Sequence, residues 1–209
     1  MNTINSFTCR VFYRGCNYNF EEFTKKYDLF YTVRTLLPNW FDNWDPELEE
    51  VKTAIASGFM VPARGYDKHG RFVIIVRQKM ADPAMMTVDT LYKTFLMLFT
   101  IAMEGNAQAY CKGYVILSDQ EGISLKHAMM MTPGVLKQHM VVFQDSYPMD
   151  NQILINNSRL FIFNLPGLLE KFLNMFISAQ DEKYRQILKT LPQENFKETF
   201  IEVKFNFRL

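Results

Sequence analysis

An unbroken run of aromatic and β-branched residues, Phe72 to Val76, precedes an amphipathic segment from Thr87 to about Ala109. A second apolar run, Tyr114 to Ser118, follows. This order constrains the fold more than any other feature of the chain. A strand covered on both faces reads as a continuous apolar stretch rather than an alternating one. The interval between the two runs is too long for a hairpin and long enough for a helical crossover. The rhythm then repeats. Thr132-Pro133 is a helix start, with Thr as N-cap and Pro at the first helical position, and that helix runs to about Gln144. Ile153 to Ile155 reads as a third short strand. Beyond Pro166, the residues Leu168, Leu169, Phe172, Leu173, Phe176 and Ile177 mark one helical face. The expectation is an α/β fold, a largely parallel sheet with helices packed on it.

Upstream of the first run, Asp67-Lys68-His69-Gly70 has turn chemistry, so Val61 to Arg64 pairs back as a hairpin strand. Residues 1–50 form a small helical region. Phe20, Phe23, Tyr27, Phe30 and Tyr31 recur at helical spacing, and Asn19 caps that helix with Glu21 and Glu22 in its first turn. Pro38 ends or kinks it. Asp42 to Glu50, with five acids in nine residues, reads as a solvated connection. At the far end Ile201, Val203, Phe205 and Phe207 alternate with polar residues, as in a strand with one wet face. The chain divides into residues 1–50, a main domain over 51–180, and a C-terminal segment over 181–209 that ends in this strand.

Composition narrows the function classes. With 48% apolar residues and a net charge of +1, the chain can build a large core and lacks the charge excess of a nucleic-acid binder. Cys9, Cys16 and Cys111 form no CxxC pair and leave one thiol over, which fits a reducing compartment. The first residues lack the apolar core of a signal peptide, and Phe95 to Met103 is too short to span a bilayer. A soluble, cytoplasmic monomer is expected. The 19 Phe and 13 Met either fill a core or suit an adaptable apolar pocket.

Catalytic motifs are missing. There is no Walker loop and no GxGxxG after a strand, and Gly122-Ile123-Ser124-Leu125-Lys126 lacks the second glycine of a nucleophile elbow. His69, His127 and His139 show no metal-ligand spacing with each other or with the cysteines. His69 falls in a turn. His139 shares a face with Leu136, Val142 and Phe143, so it reads as a core or pocket-lining residue before a catalytic one. Asp119 and Glu121 follow the second strand, where α/β sheets place their sites. The plainer reading is that Asp119 bonds nearby backbone N–H groups. The chain is not expected to be an enzyme; a small hydrolase on the same sheet is the weakest alternative.

Several segments carry a specific likeness. They are Phe12-Tyr-Arg-Gly-Cys16, Tyr31-Thr-Val-Arg34-Thr, Asp45-Pro46, Asp67-Lys-His-Gly-Arg71, Met131-Thr-Pro133, Asp145-Ser-Tyr-Pro148, and above all Gly113 to His127. Together, over residues 7 to about 178, they resemble the CRAL-TRIO lipid-binding family, in the branch of the α-tocopherol transfer and retinaldehyde-binding proteins and the clavesins. The resemblance implies a sheet that floors an apolar cavity, a gate helix over the mouth, and a helical N-terminal region that lacks its first helices here. It implies no cofactor and one bound lipophilic molecule, tocopherol-, retinoid- or phospholipid-like, carried between membranes. A transient membrane surface is the other partner. A non-transferring, membrane-associated scaffold module with a reduced cavity is the runner-up.

By positional match, Leu96, Met97 and Thr100 line the cavity from the first crossover helix, and Tyr114, Ile116 and Ser118 from the second strand. Leu125, Met129 and Met131 enter from the connection; His139, Val142 and Phe143 enter from the next helix, with Tyr147 beyond. Thr100, Tyr114 and Ser118 are the expected polar contacts. Leu165, Leu168, Leu169, Phe172 and Phe176 belong to the gate. Arg34 matches one position of a phosphoinositide-binding basic cluster, whereas Asp150, Phe176 and Gln180 stand at others. A phosphate clamp needs several converging cations, which one Arg does not supply. The family's basic strand after the gate and its glycine-rich tail have no counterpart in the sequence, where Asp181 to Arg185 stands instead.

Overall fold

The computed structural model describes residues 6–16, 18–104, 106, 112–146, 159–163, 178 and 188–190. Helices α1 (Ser6–Gly15), α2 (Phe20–Leu36), α3 (Pro38–Phe41) and α4 (Glu49–Ser57) precede the sheet. Strands β1 (Met60–Tyr66) and β2 (Phe72–Arg77) follow, then helix α5 (Val88–Glu104) and β3 (Tyr114–Asp119). After them come α6 (Leu125–Met130), α7 (Pro133–Met140), a π-turn over Val141–Ser146, and strands β4 (Arg159–Phe163) and β5 (Leu188–Thr190). This is a mixed α/β fold.

The strands lie in the order β1-β2-β3-β4-β5. β1 and β2 form the antiparallel hairpin expected from the turn; the other three pairs are parallel. Phe72 aligns with Tyr114, Ile74 with Ile116 and Val76 with Ser118. In β2 every residue from Phe72 to Val76 is buried, because the sheet is covered on both faces. β1 is different. It alternates, contains Pro62, and loses its register between Pro62 and Tyr66.

Local chemistry sets the element boundaries. Asn19 accepts a hydrogen bond from the Glu22 N–H at 3.1 Å, and Thr132 accepts one from the Val135 N–H at 3.3 Å. Pro38 sits in the first turn of α3, directly after α2 stops. In the β1–β2 turn the Asp67 carboxylate accepts from the backbone N–H of His69 at 3.0 Å and of Arg71 at 2.8 Å. It also pairs with the buried Arg71 guanidinium, whose Nε lies at 2.6 Å. Gly58 ends α4 at φ 66°, and its carbonyl accepts from Arg77 Nη2 at 2.8 Å. A Cβ there would lie 2.8 Å from that same nitrogen and displace it, and the left-handed backbone favours glycine.

Some expectations are corrected. The acidic stretch is not wholly a connection, since Glu49 and Glu50 open α4, where acids favour the helix dipole. The strand beside β3 is Arg159–Phe163. Ile153–Ile155, the C-terminal strand over 201–207, Cys111 and Asp150 lie outside the described residues. A strand does follow the gate segment: Leu188–Thr190 falls in the portion set apart as 181–209, yet pairs with β4. No helix among the described residues is long and apolar enough to cross a membrane.

Candidate functional site: an aromatic box on the sheet

One face of the sheet carries a continuous aromatic core. Phe72, Ile74 and Val76 of β2 and Tyr114 of β3 join Leu96 and Phe99 of α5 and Val142 and Phe143 of the π-turn in one buried cluster. Ile116 packs against it. The rings meet edge to face. Phe99 lies 5.2 Å from Tyr114 between centroids, and Phe95 lies 5.8 Å from Phe143. Edge-to-face pairs set the positive rim of one ring against the negative face of another.

A polar seam runs through this apolar box. The Tyr92 hydroxyl lies 3.0 Å from His139 Nδ1 and 4.0 Å from the Met131 sulfur. The His139 ring lies 4.6 Å from that of Phe143. Burial away from water disfavours the imidazolium, so the His139 pKa falls to about 4. His139 is therefore neutral at pH 7, and its role is that of a hydrogen-bonding ring inside the box. On its other side Tyr92 stacks on Trp40 at 3.9 Å, with planes 9° apart. Trp40 Nε1 donates to Asp89 Oδ1 at 2.8 Å, and Asn39 Nδ2 donates to Asp89 Oδ2 at 3.0 Å. The N-terminal helices are thereby bolted to the start of α5.

The site residues expected from sequence divide into three groups. Leu96, Tyr114, Ile116, His139, Val142 and Phe143 come together in or on the box. Met97 is buried on an adjoining face of α5, and Thr100 is half-buried. Ser118 is buried, but its hydroxyl accepts from Gln120 Nε2 at 2.7 Å, so part of its polar capacity is engaged. Met131 is half-buried beside Tyr92. Leu125 and Met129 depart from expectation, being 51% and 69% exposed. They lie four residues apart on α6 and share its outer face. Tyr147 and the gate residues Leu165, Leu168, Leu169, Phe172 and Phe176 lie outside the described residues.

Arg34 is held by its own neighbourhood. Its Nη1 donates to the Phe30 carbonyl at 2.7 Å, and its guanidinium carbon stands 3.5 Å above the Phe30 ring and 4.8 Å from that of Phe41. Sequence reasoning missed Trp40, Tyr92, Phe95 and Phe99. The last three could have been found, since they recur along one stripe of α5. Nothing local marks Trp40 as their partner.

The polar groups near the sheet's carboxyl edge have structural partners. Asp119 accepts from the Glu121 N–H at 3.0 Å, as expected for a strand-end cap, and Glu121 pairs with Lys79 at 3.1 Å. Ser124 Oγ lies 2.8 Å from His127 Nδ1, which resembles a nucleophile and its base. Yet the same Nδ1 accepts from the Ser124 N–H at 3.1 Å, and the two residues close a capping box at the start of α6. Among the described residues, no group of three His, Cys, Asp or Glu could hold a metal ion.

Comparison with known proteins agrees with this architecture. The CRAL/TRIO domain profile matches residues 56–204. The human alpha-tocopherol transfer protein-like is 26% identical over 172 residues, which is 79% of this chain and 49% of that protein. Clavesin-1 of Rattus norvegicus is 23% identical over 119 residues, covering 57% of this chain and 33% of its own. Clavesin-1 of Xenopus laevis is 22% identical over 148 residues, 71% and 44% respectively. These matches span about half the length of the relatives or less. Since the profile covers most of the chain and falls on the sheet and its crossover helices, the chain belongs to the CRAL/TRIO family.

Proposed function

We propose that this chain binds one lipophilic molecule on the aromatic face of its sheet and carries it through the cytoplasm between membranes. The observation that carries this reading is the box itself. It joins α5, β2, β3 and the π-turn with aromatic rings and a polar seam, inside a CRAL/TRIO domain. Apolar surface with a few placed polar groups is what a lipophilic ligand requires. Each buried CH₂ stabilises such a complex by about 0.8 kcal/mol, so ~12 buried carbons contribute on the order of 10 kcal/mol before ordering costs. No covalent chemistry enters this role: the ligand is held, shielded from water and released.

Leu165, Leu168, Leu169, Phe172 and Phe176 then act as the gate, and its apolar face meets the bilayer on opening. Phe172→Asp with Phe176→Asp is expected to slow ligand transfer between vesicles. Unchanged transfer and loading would remove the gate from the scheme. The main test is native mass spectrometry with lipid extraction. The purified chain is expected to carry a lipophilic mass, and Ile116→Trp, which adds bulk to the box, to lose it. If the wild-type chain carries none and takes none from loaded vesicles, the carrier reading fails.

A second reading has support of its own. The rings of Phe95, Phe99, Tyr114 and Phe143 stand at contact distance, as they would in a filled core. A module that occupies its box with its own side chains would recruit to membranes without carrying a ligand. An empty mass spectrum combined with intact membrane recruitment selects this alternative.

A further inference from the structure

A second set of rings runs from the core out to solvent at the α1–α2 turn. Phe12, buried, meets Tyr27 at 5.3 Å and Phe30 at 4.7 Å. Tyr27 stacks on Phe23 at 5.2 Å, and Phe23 meets Tyr13 at 5.4 Å and Phe20 at 6.1 Å. Tyr13 meets Tyr18 at 5.5 Å. The outermost members face water: Tyr13 is 36% exposed, Tyr18 59% and Phe20 70%. The ladder is therefore rooted in the core and ends in an apolar, exposed tip. Tyr18 holds this position with a left-handed backbone, φ 61°, a conformation that costs a bulky residue free energy.

We infer that this tip is a bilayer-contacting foot that seats the protein on the headgroup region of an anionic membrane. Two observations choose the occupant. From Arg10 to Tyr27 the sequence carries four basic residues against two acidic ones, whereas Asp42 to Glu50 carries five acidic residues and no basic one. The segment of α1 and α2 thus carries a net positive charge, even with Glu21, next to Phe20, paired to Lys25 at 2.7 Å, which suits an anionic surface. The side chains also fit. Tyrosine presents an apolar body with a polar end and partitions to the membrane interface, while phenylalanine enters the acyl boundary. The foot rests on the membrane-visiting reading above but uses none of the gate residues.

Its test uses the full chain and vesicles of phosphatidylcholine with one-fifth phosphatidylserine. Phe20→Trp is expected to give emission that shifts to the blue when these vesicles are added. Tyr18→Asn with Phe20→Ser, where Asn tolerates the left-handed backbone, is expected to weaken vesicle partition about tenfold. Leu36→Ser, at the far end of α2 and 65% exposed in the wild type, serves as control and leaves partition within about twofold. Unshifted Phe20→Trp emission, or equal loss with Leu36→Ser, overturns the foot. So does a double variant whose sedimentation falls from dimer to monomer, because a second copy of the chain would then be the occupant. Native mass spectrometry of the double variant separates the two claims. A chain that still carries a lipophilic mass but has lost its vesicles upholds both. One that binds vesicles through Phe20 and carries nothing keeps the foot and removes the carrier.

Discussion

The aromatic rings of the molecule form one continuous core with two ends of similar chemistry and opposite fate. The inner one, around Trp40, Tyr92, Phe99, Tyr114 and Phe143, is enclosed by the sheet, α5 and the π-turn. The outer one begins at Phe12 and Phe30 and climbs through Tyr27 and Phe23 to rings that face water. Composition does not separate them; the number of elements around each ring does. Their polar atoms differ in the same way. The Tyr92 hydroxyl in the inner cluster meets an imidazole. The Tyr27 hydroxyl in the outer cluster lies 3.3 Å from that of Tyr31, and burial, then the Tyr31 hydroxyl, push the Tyr27 phenol up.

The widest gap between the clusters should appear in stability. Trp40→Ala removes a ring that is 1% exposed and is expected to cost about 3–5 kcal/mol in urea unfolding. Phe20→Ser at the outer tip should stay within about 0.5 kcal/mol. Comparable losses at both sites would break the contrast.

The next effect is a pH dependence confined to the inner cluster. The His139 pKa is depressed to about 4 in the folded state against an ordinary 6.5. The unfolded chain therefore binds the proton first. The contribution is whole above pH 6.5 and falls as pH drops from 6.5 toward 4. Urea midpoints at pH 7.5 and 5 should differ more for the wild type than for His139→Phe. Equal differences would mean that His139 charges without penalty.

A smaller effect tests the seam. Tyr92→Phe keeps the stack on Trp40 and removes the hydroxyl, and should cost about 1 kcal/mol. The smallest is Tyr27→Phe in the outer cluster, expected within about 0.5 kcal/mol because the hydroxyl contact with Tyr31 is long, at 3.3 Å. If Tyr27→Phe cost more than Tyr92→Phe, the ranking of the two clusters would reverse.

Legibility in the sequence followed the range of the interaction that decides each feature. Asn19, Thr132-Pro133 and the Asp67–Gly70 turn were readable because their partners lie within a few residues. Phe72–Val76 was readable because five consecutive apolar residues suit a strand covered on both faces. Leu160–Phe163 carries a similar signal in Leu-Phe-Ile-Phe. Leu188–Thr190 gives none, since a three-residue strand is defined by its pairing alone. The outward face of Leu125 and Met129 was not readable either. A six-residue helix has too few turns for periodicity to say which side meets the sheet. The contact of Arg34 with both Phe30 and Phe41 needs the α2–α3 corner, which no local pattern specifies.

The irregular first strand has a consequence for how the protein behaves in a crowd. Among the described residues β1 is an outer strand of the sheet, and an outer edge is a template on which another copy could polymerise. Pro62 withholds one of the donors such growth would use, and the break in register before Tyr66 bends the edge away from a straight ladder. Replacing Pro62 with valine should leave the monomer folded while shortening the lag before fibrils form at high concentration.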